Sequence, residues 1–136
     1  MVEIAENYDV DGVHFDYMRY PYEPFCYCNI CEKNFQHETG IQITNWPDDI
    51  WIKGKYHEQY EEWRQSLITK TARRKSEKIQ SLSPNICVSL AARSGIEHAI
   101  HSDAQLWWEW TDEGILGFVC PMNYTPWPNE YAAMIK

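Results

Sequence analysis

Three short apolar runs, "DGVHF", "ICVSLAA" and "LGFVCPM", stand apart along the chain, separated by stretches long enough to be helices. This spacing constrains the fold more than any other feature. A tight turn lets neighbouring strands pair antiparallel, whereas a helical crossover returns the next strand parallel and right-handed. The predicted strands are residues 10–16, 86–91 and 117–123. A helix is predicted over 55–82, where Tyr60, Trp63, Leu67, Thr71 and Ile79 keep to one face and Glu, Lys and Arg to the other. Ser83-Pro84-Asn85 stops it. "AQLWWEWTDE" predicts a shorter helix, with Ser102 or Asp103 as its cap and Gly114 as its end. "MVEIAENY" reads as the tail of a helix and "NEYAAMIK" as the start of another. The order α-β-α-β-α-β-α implies an α/β fold with a parallel sheet.

Strand parity sorts the side chains. Val13 and Phe15 fall on one side of the first strand, and Gly12, His14 and Asp16 on the other. In the second, Ile86, Val88 and Leu90 oppose Cys87, Ser89 and Ala91. In a closed parallel barrel the second face meets the interior, and its last residue reaches the open mouth. A full barrel takes about 250 residues. The 136 residues here are therefore expected to form a single domain, 1–136, that is part of a (β/α)8 TIM barrel of about three consecutive βα units. Residues 18–54 would be a long cysteine-containing loop inserted after the first strand, with a short helix, "CEKNFQHETG", closed by Gly40. A loop of that length is uncommon unless it is functional.

Composition narrows the partners. A net charge of −8 argues against nucleic acid, whose phosphates call for a basic surface. "KTARRKSEK" fits a helix of mixed charge. No run reaches the roughly 18–20 apolar residues of a membrane-spanning helix, and no signal peptide is legible. Seven Trp and nine Tyr exceed what a core of this size needs, leaving rings for a cleft or for stacking on a sugar face. Cys87 and Cys120, in strand-like runs, are expected to be small buried residues. Cys26, Cys28 and Cys31 crowd one loop with His37 downstream. That set is open to three readings: a closed structural zinc site, a disulfide, or thiols that pack the loop.

"DGVHFDYMRYP" resembles the central strand of the glycosyl-hydrolase-like family 10 and related bacterial TIM barrels. "WRQSLITKTARRKSEKIQSLSPNICVSLAA" and "WWEWTDEGILGFVCPMNYT" continue the resemblance in order, so that it covers nearly the whole chain. The resemblance implies that the strands are the fourth to sixth of the barrel, with the remainder of the barrel outside this chain. It implies that Asp16 matches the acidic residue ending the fourth strand, a catalytic carboxylate in several glycosidase barrels. Arg19, Tyr20 and Pro21 match the tail of the same motif, and Met122, Asn123 and Tyr124 the sixth-strand end. Gly117 departs from the pattern, standing where an acidic residue is expected. A secreted or periplasmic location also follows from the resemblance.

The resulting expectation is part of a carbohydrate-active hydrolase acting on a glycan, with Asp16 as nucleophile or acid/base. His14, Arg19, Tyr20, Arg93, Asn123 and Tyr124 are the candidate substrate contacts, and no cofactor is required. Glycoside hydrolysis usually needs two carboxylates, about 5–5.5 Å apart for retention and about 6.5–9.5 Å for inversion. Glu97 and Glu23 lie on loops, and neither is at a strand end. The partner is therefore expected in the rest of the barrel, leaving this stretch inactive alone. Asp16 could instead be structural, pairing with Arg19 or a histidine, and Tyr17 has the parity of the helix-facing side. The Asn123-Tyr124-Thr125 sequon is set aside as a strand-end pocket feature. The alternative function is a catalytically silent barrel that binds polysaccharide or cell wall. An amidohydrolase-like metal site ranks last, since only His14 and Asp16 could serve it.

Overall fold

The computed structural model describes residues 1–21 and 26–134. Its elements are α1 (Val2–Asn7), β1 (Gly12–Phe15), α2 (Asn29–Thr39), α3 (His57–Leu82), β2 (Cys87–Ala92), α4 (Trp107–Asp112), β3 (Phe118–Pro121) and α5 (Pro128–Met134). A 3-10 turn at Asp48–Ile50 and a π-turn at His98–Ser102 interrupt the loops. The sheet is parallel throughout, in the order β1-β2-β3. Val13 pairs with Val88 and Phe15 with Leu90, while Leu90 pairs in turn with Val119. The predicted order of strands and helices is thus the observed one, although β1 and β3 are shorter than expected.

One face of the sheet is covered. Val13 and Phe15 alternate with exposed Gly12 and His14, and with Val88, Leu90 and Ala92 they meet Ala72 and Ile79 of α3 and Trp110 of α4. The opposite face carries small side chains on β2, Ser89 and Ala91, and is open on β3, where Phe118 and Cys120 are exposed. Cys120 is therefore not the buried residue its apolar run predicted, because β3 is an edge strand and Cys120 faces its open side. Cys87, half-buried, lies against Gly117. A Cβ on Gly117 would come within 2.6 Å of Cys87 Sγ. Any side chain at Gly117 would therefore have to displace that sulfur.

A second core forms on the loop itself. Phe35 of α2, Ile50 of the 3-10 turn, and Tyr60 and Trp63 of α3 are buried together, with Tyr27, Trp46 and Leu67 packed around them. Helix α3 therefore serves two cores, its first turns packing against the loop and its later turns against the sheet. Gly40 ends α2 in the left-handed conformation expected of it, at φ 75°. No described helix is long and apolar enough to cross a membrane.

Candidate active site

The parallel sheet brings the ends of all three strands to one edge, and the loops that follow them enclose a cleft of about 430 Å³. His14, Asp16, Tyr17, Arg19, Arg93 and Tyr124 line it, with Ala91 and Met122. Asp16 follows the last residue of β1. Its Oδ1 accepts a 2.8 Å hydrogen bond from the Tyr17 backbone N–H, and the side chain is otherwise exposed. Tyr17 has φ 54°, a left-handed conformation that ends strand alternation at that point. Its ring consequently lies in the cleft, 70% exposed, and not beneath the helices as parity predicted. His14 Nδ1 and Ser89 Oγ share a 2.9 Å hydrogen bond across the β1–β2 pair.

The arginines are held by a residue that sequence reading took for a helix cap. Asp103 is fully buried and accepts from Arg93 Nε at 2.7 Å and from Arg93 Nη2 at 3.4 Å. Arg19 Nε lies 3.8 Å from the same carboxylate. Arg19 also donates to the Tyr20 and Pro21 carbonyls, each at 3.3 Å, and its guanidinium sits 4.7 Å from the Tyr17 ring centre. Helix α4 instead starts after Leu106, with no side-chain cap. Gln105, also fully buried, accepts from the Arg93 backbone N–H at 2.8 Å and donates to the Ala91 and Met18 carbonyls. Ala104 between them takes φ 53°. That uncommon non-glycine conformation sits at the turn whose two flanking polar side chains are both buried. The loop after β2 thereby locks onto the loop after β1, where Tyr20 N–H also bonds the Asp103 carbonyl at 2.9 Å. With both arginines drawn to Asp103, no described side chain pairs with the Asp16 carboxylate.

Other expected site residues lie elsewhere. Tyr20 turns away from this cleft: Arg64 stacks 4.5 Å from its ring centre, and burial raises its phenol pKa. Asn123 is half-buried, with Oδ1 unpaired, and does not line the cleft. Tyr124, 86% exposed, stands between the cleft and a neighbouring hollow of about 790 Å³. That hollow shares Arg93 and Met122 with the cleft and adds two carboxylates, Glu97 and Glu130. Glu97 lies 3.5 Å from His101 Nε2, and Glu130 accepts from Thr125 Oγ1 at 2.6 Å. Glu23 falls outside the described residues.

In the loop after β1, the sulfurs of Cys26, Cys28 and Cys31 lie within 4.8 Å of one another, and all three thiols are free. Cys28 and Cys31 Sγ are 3.6 Å apart. The Cys31 backbone N–H, first among several hydrogen bonds, lowers the Cys28 pKa to about 7, while burial pushes that of Cys31 up to about 12. His37 does not join this group. It lies six residues beyond Cys31 on α2, well over a turn away, and is exposed. Asp103 and Gln105 were the residues that sequence reading missed as site components. Their signal was masked by a helix reading: "SDAQL" offers a cap and a first turn, whereas the helix starts only at Trp107 and leaves Asp103 and Gln105 in the loop before it.

The model of a family described as glycosyl hydrolase-like 10 matches residues 1–136. An S-layer-related protein of Niallia circulans is 39% identical over 51 residues, a stretch that is 35% of this chain. The chain spans only 3% of that relative's length.

Proposed function

The chain belongs to the glycosyl hydrolase-like 10 family, and from that premise we propose that it is part of a (β/α)8 barrel hydrolysing glycosidic bonds in a glycan. The observation that carries this reading is the Asp16 carboxylate, unpaired by any described side chain and standing in a cleft at the carboxyl ends of parallel strands. Catalytic residues of α/β barrels occupy that edge, because there the strand ends converge and the loops are free to vary. Asp103 supports the assignment by engaging Arg93 and Arg19, which would otherwise neutralise Asp16. Asp16 is then free to attack an anomeric carbon or move a proton at the glycosidic oxygen. Arg93, His14 and the exposed rings of Tyr17 and Tyr124 would bind sugar hydroxyls and apolar sugar faces. The second carboxylate belongs to the rest of the barrel in this proposal, and two carboxylates with water need no cofactor. A secreted or periplasmic setting forms part of the same reading.

Asp16→Asn in the full-length protein tests the assignment. It keeps the size of the side chain and removes its charge. Hydrolysis should fall by at least about 10³-fold, the scale of losing a reacting group, with the circular-dichroism spectrum and unfolding midpoint unchanged. A near wild-type rate on a glycan that the protein hydrolyses would make Asp16 structural.

A second reading has its own observation. Asp16 is the sole carboxylate among the described residues lining the cleft, which also suits a silent barrel that binds polysaccharide through Tyr17 and Tyr124. In that case the wild-type protein would bind a glycan without cleaving it. Tyr124→Ala would weaken binding, and Asp16→Asn would not.

A further inference from the structure

Arg64 is a buried charge that no carboxylate among the described residues is seen to pair with. It lies on α3 with 2% of its surface exposed, and both Nε and Nη2 are buried without a hydrogen-bond partner. Its guanidinium stacks on Tyr20, which is a weak substitute for a carboxylate in a dry site. One helical turn earlier, Tyr60 donates its hydroxyl hydrogen bond to the Cys26 carbonyl. Tyr60 and Arg64, four residues apart on α3, share one face of that helix, so Arg64 lies on the side that the Cys26 loop packs against. Phenols are neutral at pH 7 and cannot balance the arginine. Thiols can, once a metal takes their protons.

We propose that Cys26, Cys28 and Cys31 hold one zinc ion as thiolates, and that the buried Arg64 is the counter-charge of that centre. Three S–H protons leave to solvent as three Zn–S bonds form, so the centre carries a net charge of −1 against the +1 of Arg64. The geometry fits this chemistry. A tetrahedral ion with Zn–S bonds of about 2.3 Å sets its sulfurs about 3.8 Å apart, against 3.6 Å observed between Cys28 and Cys31. The third sulfur lies within 4.8 Å of these, a gap that small side-chain rotations close. A disulfide would need about 2.05 Å. Soft thiolates favour zinc over magnesium or calcium, which prefer oxygen. Water takes the fourth position. His37 plays no part, being exposed on a more distant turn of α2. The ion would tie Cys26 to the first turn of α2, fixing the loop that follows Asp16 without entering the chemistry at the cleft.

The test is made on the full chain, purified under reducing conditions from zinc-containing medium. Elemental analysis should find about one zinc per chain. Cobalt added to the chelator-treated, reduced protein should give thiolate-to-metal charge-transfer absorption and tetrahedral visible bands. Cys28→Ser should lose the metal, and His37→Ala should retain it. Arg64→Met should weaken metal affinity about tenfold or more, the usual effect of removing an outer-shell partner, yet raise the melting temperature of the metal-free protein. That opposite sign separates a counter-charge from mere packing. Should Cys28→Ser fail to fold, the cobalt titration of the wild-type chain still decides. A zinc-free protein that gives no cobalt bands overturns the proposal, as does an intact mass two hydrogen atoms lighter, which reports a disulfide. Metal retention unaffected by Arg64→Met would overturn the counter-charge assignment.

Discussion

Asp103 organises the cleft without lining it. Its carboxylate, fully buried, receives two hydrogen bonds from Arg93 and attracts Arg19, so it sets where both cations stand relative to Asp16. Replacing it by Asn keeps the shape but leaves two guanidinium groups facing a neutral amide. Breaking a buried pair in this way costs about 3 kcal/mol, at the lower end for such pairs because Arg93 is about a third exposed. Urea unfolding of Asp103→Asn should show that loss as a lower midpoint with an unchanged slope. In the full-length protein the freed Arg93 or Arg19 would also pair with Asp16, so activity should fall further than stability explains. A variant as stable as wild type would mean that the arginines are held by something else. Ala104, left-handed at φ 53°, belongs to the same device, since it sits at the turn between the buried Asp103 and Gln105.

At the scale of the element, close approach between strands decides which residues are allowed. β2 and the residue leading into β3 come so near that a Cβ at Gly117 would meet Cys87 Sγ at 2.6 Å. Gly117→Ala should therefore destabilise the chain by about 1–3 kcal/mol, the cost of overpacking. Cys87→Ala removes the sulfur it would strike. The double variant should recover much of the loss, a coupling readable in a double-mutant cycle by thermal or urea unfolding. Strict additivity would place the strain of Gly117→Ala elsewhere. Helix α3 makes a related point about elements. Its residues obey one amphipathic period, but the early turns pack Tyr60 and Trp63 with the loop core while Ala72 and Ile79 pack beneath the sheet. The period reports that a face is buried, not what buries it.

At the scale of the whole molecule, β1 and β3 are both edge strands, and the sheet face bearing His14 and Phe118 is open. Unpaired strand edges with an exposed apolar face invite pairing with another chain. The 136-residue chain expressed alone should therefore self-associate as concentration rises, measurable by sedimentation velocity. A stable monomer with one sharp unfolding transition would contradict this. The sequence by itself determined the element order, the parallel sense of the sheet and which face of β1 carries Asp16. Those properties follow from local periodicity and from crossover length, both of which are written along the chain. Only the tertiary structure decided that Tyr17 enters the cleft, that Tyr20 leaves it, and that Asp103 is a buried anchor and not a helix cap. Each of those depends on a backbone dihedral or on a charge partner far away in sequence. The same holds for Arg64 and the cysteines, 33 to 38 residues apart in the chain and brought to one side of α3 by the packing of the loop, where Tyr60 bonds the Cys26 carbonyl.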